Sequence, residues 1–183
     1  MGQYAWFEQQ LFELLGHWAA QSPDPDVCIL LARHARRRAW HAALWDQLLP
    51  TVAGRAATSV VQAPNDAIAE LMTEMAPRPS STAAIEELLA AVYRGMGPAL
   101  VSTYEDHRAT ASAVAEAPTL RVLDRVLRDQ TADLEEGRLL FDGSSRDHAL
   151  GTSGSGQELR DRWTSALGKG WPPMQLGSAE ARR

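Results

Sequence analysis

The chain has 183 residues, 45% hydrophobic and 22% charged, the composition of an ordinary globular domain with a sizeable core. Its formal net charge of −5 offers no general attraction for nucleic acid. A single cysteine, Cys28, excludes an internal disulfide and fits a reducing, cytoplasmic setting.

The opening MGQYAWFEQQLFELLGHWAA has neither the basic start nor the small-residue cleavage site of a signal peptide. Trp6 stands where a myristoylation motif needs Ser or Thr. No apolar run approaches the roughly 18 residues of a membrane span, so a membrane partner is not expected. The spacing of Phe7, Leu11, Leu14, Leu15 and Trp18 predicts a first helix over about residues 4–20.

SPDPD (22–26) ends that helix, and Asp26 is the expected N-cap of a second one over about 27–49, closed by Pro50. Cys28, set among Val27, Ile29 and Leu30, reads as a buried structural thiol. Residues 51–81 form a long connection with a short helical piece at about 65–75. A third helix is expected over about 82–111, with a kink near Pro98 where Gly95 and Gly97 also fall. A fourth spans about 118–141, with Pro118 suited to its first turn.

After Phe141, DGSSRDHALGTSGSGQ reads as a flexible linker. An amphipathic segment follows at about 158–167, with Trp163 as a docking anchor, and then a tail expected to be ordered only in part. The organisation is thus a helical unit over 1–141 and an extension over 142–183. The short connections between helices one and two and between three and four predict antiparallel hairpins. A helix of ~23 residues is ~35 Å long, and the 51–81 segment can cross that length. The fold class is therefore all-α: a four-helix bundle with one long crossover.

Helix two carries the most informative polar residues. His34, Arg38 and His41 fall inside the stripe marked by Val27, Leu30, Leu31, Trp45 and Leu48. Burying them costs several kcal/mol unless they are paired, so polar groups must face them from other helices. Glu8 is the candidate on helix one; Thr103, Asp106 and His107 are those on helix three. On helix four, Asp124, Thr131, Glu135 and Arg138 lie on or near the stripe of Leu120, Leu123, Leu127 and Leu134. Arg33, Arg36 and Arg37 flank the helix-two stripe, as a solvated face or as salt-bridge partners of acids on neighbouring helices.

ARHARRRAWHAALWDQLLP (32–50) and YEDHRATA (104–111), set in this hairpin plan, resemble the ferritin-like superfamily over roughly residues 4–141. The resemblance implies a ferritin-like four-helix bundle. Its carboxylate-bridged di-iron members take a Glu from each of two helices and a Glu-x-x-His from each of the other two. Glu8 matches the first position, and Asp106 could stand for the Glu of helix three. Helix two reads Arg38-x-x-His41, and helix four has no acid-x-x-His. An arginine adds repulsion where a bridging carboxylate should neutralise two dications, so a complete di-iron centre is not expected.

Three readings stay open at this point. In the first, a small-molecule tailoring enzyme without a cofactor performs a cyclisation, isomerisation or elimination. His41 or His34 serves as general acid/base and Glu8 or Asp106 orients it. Arg38, with Asp106, His107, Trp45 and Tyr104, holds an anionic or carbonyl-bearing organic molecule. In the second, an iron-dependent oxygenase or oxidase uses an altered ligand set drawn from Glu8, His41, Asp106 and His34. In the third, the bundle is a non-catalytic partner subunit whose polar residues set helix register. A homodimer is compatible with any of them.

Overall fold

The computed structural model describes residues 1–51, 60–76, 89–142 and 154–168, and among them every regular element is helical. No described helix is long and apolar enough to cross a membrane. Helix α1 (Gly2–Ala19) packs along α2 (Pro25–Asp46), and Phe7, Leu11, Leu15 and Trp18 of α1 and Leu31 of α2 are buried in the core. Helix α2 is capped by Asp24 and not by Asp26. The Asp24 side chain accepts from the backbone N–H groups of Asp26 (2.9 Å) and Val27 (3.4 Å). Pro25 can then occupy the first helical turn, where its missing N–H costs nothing, and the helix starts two residues earlier than its apolar stripe suggests. At this exposed end Cys28 is only half-buried, not buried as its apolar neighbours suggested, and Ile29 is 63% exposed.

The connection after α2 contains α3 (Asp66–Met75), capped by Asn65, whose side chain accepts from the Ile68 N–H at 2.9 Å. It buries Ile68, Leu71, Met72 and Met75. The expected start of the third helix, 82–88, lies outside the described residues. From Ala91 to Met96 the chain forms a π-helical turn that continues into α4 (Gly97–Thr110). Pro98 has no N–H to give to the carbonyl four residues back, and the Gly97 N–H reaches back five residues to the Val92 carbonyl. The irregularity anticipated at Pro98 thus takes the form of a widened turn.

Helix α5 (Ala117–Asp142) lies against α2, α4 and the π-helical turn. Two glycines allow close approach here. A methyl group on Gly97 would press on the Val92 carbonyl and on Leu134, and one on Gly137 would overlap the Tyr93 ring. Helix α6 (Gly154–Gly168) takes in part of the Gly/Ser-rich stretch expected as linker. The remainder, 143–153, and the tail from 169 lie outside the described residues. Trp163 is fully buried, edge-on to Phe7 with ring centroids 6.0 Å apart. Asn65 Nδ2 donates to the Ala166 carbonyl at 3.0 Å, so α6 is docked on α3 as well as on the π-helical turn and α4.

Gly137→Ala is expected to destabilise the protein by about 1–3 kcal/mol through overpacking against Tyr93. A lower urea midpoint than wild type, with the Tyr93 ring displaced from α2 in a crystal structure, is the outcome to look for.

Candidate functional site

Polar side chains from α1, α2, α4 and α5 meet at one level of the core. Glu8 of α1 is fully buried. Its Oε1 accepts from the Tyr104 hydroxyl at 2.8 Å and from Gln130 Nε2 at 2.7 Å. Its Oε2 faces Arg38 Nη1 at 3.4 Å and His41 Nδ1 at 3.6 Å. Burial alone would push the Glu8 carboxyl up, but Arg38, His41 and Tyr104 together hold it below the ordinary carboxylate value. The same burial and the same carboxylate push the Tyr104 hydroxyl well up, keeping it a donor.

Arg38 reaches from Glu8 to Asp133, whose Oδ2 lies 3.5 Å from its Nη2. Burial works against the guanidinium charge, but these two carboxylates outweigh it and raise its pKa. His41 spans two acids: its Nε2 lies 3.2 Å from Asp129 Oδ2, while Nδ1 faces Glu8. Asp129 is the member of this pair that reaches solvent. It also accepts from Arg125 Nε at 3.1 Å, and Arg125 stacks over the exposed ring of Trp40. Arg38 Nε and Gln130 Oε1 are buried with no hydrogen-bond partner among the described residues, and His41 Nδ1 has the long 3.6 Å contact with Glu8.

One turn away on α2, His34 makes a second group. Its Nε2 faces Glu136 Oε2 at 2.9 Å and Asp133 Oδ1 at 3.2 Å, and its Nδ1 meets the Tyr93 hydroxyl at 2.7 Å. Burial lowers the His34 pKa to about 4, so the ring is neutral at neutral pH, with Nε2–H donating to the acids and Nδ1 accepting from Tyr93. Burial also raises Asp133 to about 6, against the pull of Arg38 and Arg37. Arg33 Nη2 donates to Glu136 at 2.7 Å, and Arg37 pairs with Asp133. Arg33 and Arg37 are therefore salt-bridge partners, while Arg36 stays exposed. Beside this group a groove of about 420 Å³ opens between α2 and α5. Ile29, Leu30, Leu139 and Leu140 form its apolar walls, and Arg33 and Glu136 lie where it meets the cluster.

Of the residues singled out in the sequence, Glu8, His34, Arg38, His41 and Tyr104 come together. Trp45 is buried beside them, packed on Tyr4 and Tyr104 with centroids 4.9 and 5.9 Å away. His107 belongs elsewhere: its Nδ1 meets the Tyr4 hydroxyl at 2.9 Å and its Nε2 faces Glu116 at 3.6 Å. Asp106 is exposed, one residue out of phase with the buried face, and cannot orient either histidine. Asp124, Thr131, Glu135 and Arg138 are likewise exposed. The inward residues of α5 are Gln130 and Asp133, with Gly137 beyond them. They continue the 3–4 spacing of Leu123, Val126 and Leu127, a periodicity legible in the sequence. Tyr93 carried no such signal, because its reach to His34 depends on the glycine facing it.

A two-metal centre does not fit these residues. Arg38 lies between Glu8 and Asp133, and α4 and α5 supply Tyr104 and Gln130 as the partners of Glu8, not further carboxylates. Four carboxylates (Glu8, Asp129, Asp133, Glu136) already meet four arginines (Arg33, Arg37, Arg38, Arg125). Two dications beside Arg38 would exceed that negative charge. Comparison with protein-family models, curated proteins and solved structures yields no match.

Two tests follow from this geometry. Between pH 6.5 and about 4 the unfolded chain protonates His34 while the folded chain does not, so His34 costs stability as pH falls. Asp133 acts oppositely. Its folded carboxyl keeps its proton up to about 6 against an ordinary value of 3.8, so it adds stability as pH falls through that interval. Asp133→Asn, which removes the compensating acid, should therefore lose urea midpoint more steeply than the wild type as pH falls from about 6 to about 4. Separately, Arg38→Ala leaves Glu8 and Asp133 buried without their shared cation and should cost about 3–5 kcal/mol in equilibrium unfolding.

Proposed function

We propose that the chain folds as a ferritin-like four-helix bundle with α3 in its long crossover. Its Glu8–Arg38–His41 cluster would be an acid–base site for a small organic molecule bearing a carbonyl or anionic group. The fold reading is supported by the short connections between α1 and α2 and between α4 and α5, and by the long segment between α2 and the π-helical turn.

The functional reading rests on one observation. His41 lies between the buried Glu8 carboxylate and Asp129, which reaches solvent, and Arg38 stands beside the same Glu8 oxygen. Titratable groups gathered on a buried carboxylate with one link to solvent are the arrangement that acid–base chemistry uses. Each of these four residues has a place in one chemistry. Arg38 holds a carbonyl or carboxylate oxygen of the bound molecule. His41 takes a proton from an adjacent carbon and returns it to another atom of the same molecule, an isomerisation or cyclisation without net redox change. Asp129, in contact with both His41 and solvent, exchanges protons with water. Glu8 stabilises positive charge on the ring.

A structural role is the second reading, and it too has a specific observation in its favour: Arg38 ties α1 to α5 by meeting Glu8 and Asp133 at once. Buried polar groups of this kind can set helix register. A thermal-shift screen of small carboxylates and ketones separates the two. Under the enzymatic reading a hit at about 100 times its Kd stabilises the wild type by about 2.7 kcal/mol and leaves His41→Phe unmoved. If no compound shifts the wild type, while Glu8→Gln and His41→Phe each lose several kcal/mol, the register reading replaces it.

A further inference from the structure

The His34 group has the composition and placement of a metal site; it adjoins the Glu8–His41 cluster through Arg38, but its donor residues are its own. We propose that His34 Nε2, Asp133 and Glu136 bind one divalent first-row transition ion, which displaces Arg33 and Arg37 from the two carboxylates. One ligand atom from each of the three residues lies within 4.8 Å of the others. His34 projects from α2, and Asp133 and Glu136 project from α5 three residues apart, so the two helices hold the donors from opposite sides. One imidazole with two carboxylates suits ions such as Mn²⁺, Fe²⁺, Co²⁺ or Zn²⁺, and three protein donors leave coordination positions open.

Two features beyond the donors fit this assignment. When Nε2 takes the metal, the ring's single proton moves to Nδ1, which then donates to the Tyr93 hydroxyl oxygen 2.7 Å away; this is the outer hydrogen bond that ligating histidines characteristically make, and it aims Nε2 at both acids. Glu136 also lines the groove between α2 and α5, which provides an access route for the ion.

The arginines are the obvious competitors, and their exposures decide which of them can yield. Arg38 is 5% exposed and is held by Glu8 as well as by Asp133 Oδ2, so it stays. Arg33 and Arg37 are 49% and 25% exposed and can turn into solvent. One dication then replaces two single positive charges, and with Arg38 and Arg125 in place the four carboxylates remain neutralised. Arg33 and Arg37 act as the cations that occupy the site until a metal takes it.

The test uses the full chain after chelator treatment, titrated with Zn²⁺ by calorimetry and with Co²⁺ by visible absorption. One equivalent of metal should bind, with Co²⁺ bands of an ion ligated by nitrogen and oxygen. His34→Gln and Glu136→Gln should abolish saturable binding. Tyr93→Phe should weaken it roughly tenfold or more, and Arg37→Gln should tighten it by removing a competitor. Far-UV circular dichroism establishes that each variant is folded. If His34→Gln does not fold, Glu136→Gln carries the test, since Glu136 lies at the rim of the core. Absence of saturable binding in both the wild type and Arg37→Gln overturns the proposal, as does binding that survives undiminished in the folded ligand variants.

Discussion

Arg38 carries a positive charge into the buried core. A charge there persists only if carboxylates are brought to it and their remaining lone pairs are satisfied. Glu8 and Asp133 supply the first requirement from two different helices. Tyr104 and Gln130 satisfy the second on the Glu8 side, and Arg37 and His34 do so on the Asp133 side. Sliding or rotating any of α1, α2, α4 or α5 would separate members of this set. The helices can therefore adopt few relative positions, and the surrounding apolar packing has to accommodate them.

The two histidines of α2 sit on either side of that arginine, and their surroundings give them different properties. His34 is held neutral between Tyr93 and two acids, with one nitrogen fixed by a hydroxyl and the other facing a pair of oxygens. His41 lies between a buried carboxylate, faced by Nδ1, and one that touches solvent, faced by Nε2. The first environment suits a ligand and the second suits a proton carrier. Residues seven apart on one helix face are thus separated in chemistry by what α1, α5 and the π-helical turn place against them. The irregular turn contributes directly, because it carries Tyr93, and Gly137 allows that ring to lie against α5.

Much of this was legible before any coordinates. Helix periodicity placed His34, Arg38 and His41 among apolar residues of α2 and Glu8 at the edge of the α1 stripe, and all four are buried. The partners on α5 were harder to see. Gln130 and Asp133 continue the apolar spacing of their helix, but a polar residue on a stripe can be read as its end as easily as its interior. Asp106 shows the opposite error: it lies beside His107, yet a single residue is about 100° of helix, enough to turn a carboxylate from core to solvent.

The sequence by itself determined the helical class, the stops at residues 22–26 and at Pro50, the irregularity near Pro98, and the presence of buried charge on α2, because these follow from local spacing and backbone chemistry. Tertiary structure alone decided which acid meets which base. Glu8 and Arg38 are 30 residues apart, and Arg38 and Asp133 are 95 apart. Helical periodicity specifies the direction a side chain faces on its own helix but says nothing of the rotation and height at which the next helix packs. Those two quantities set every distance in the cluster.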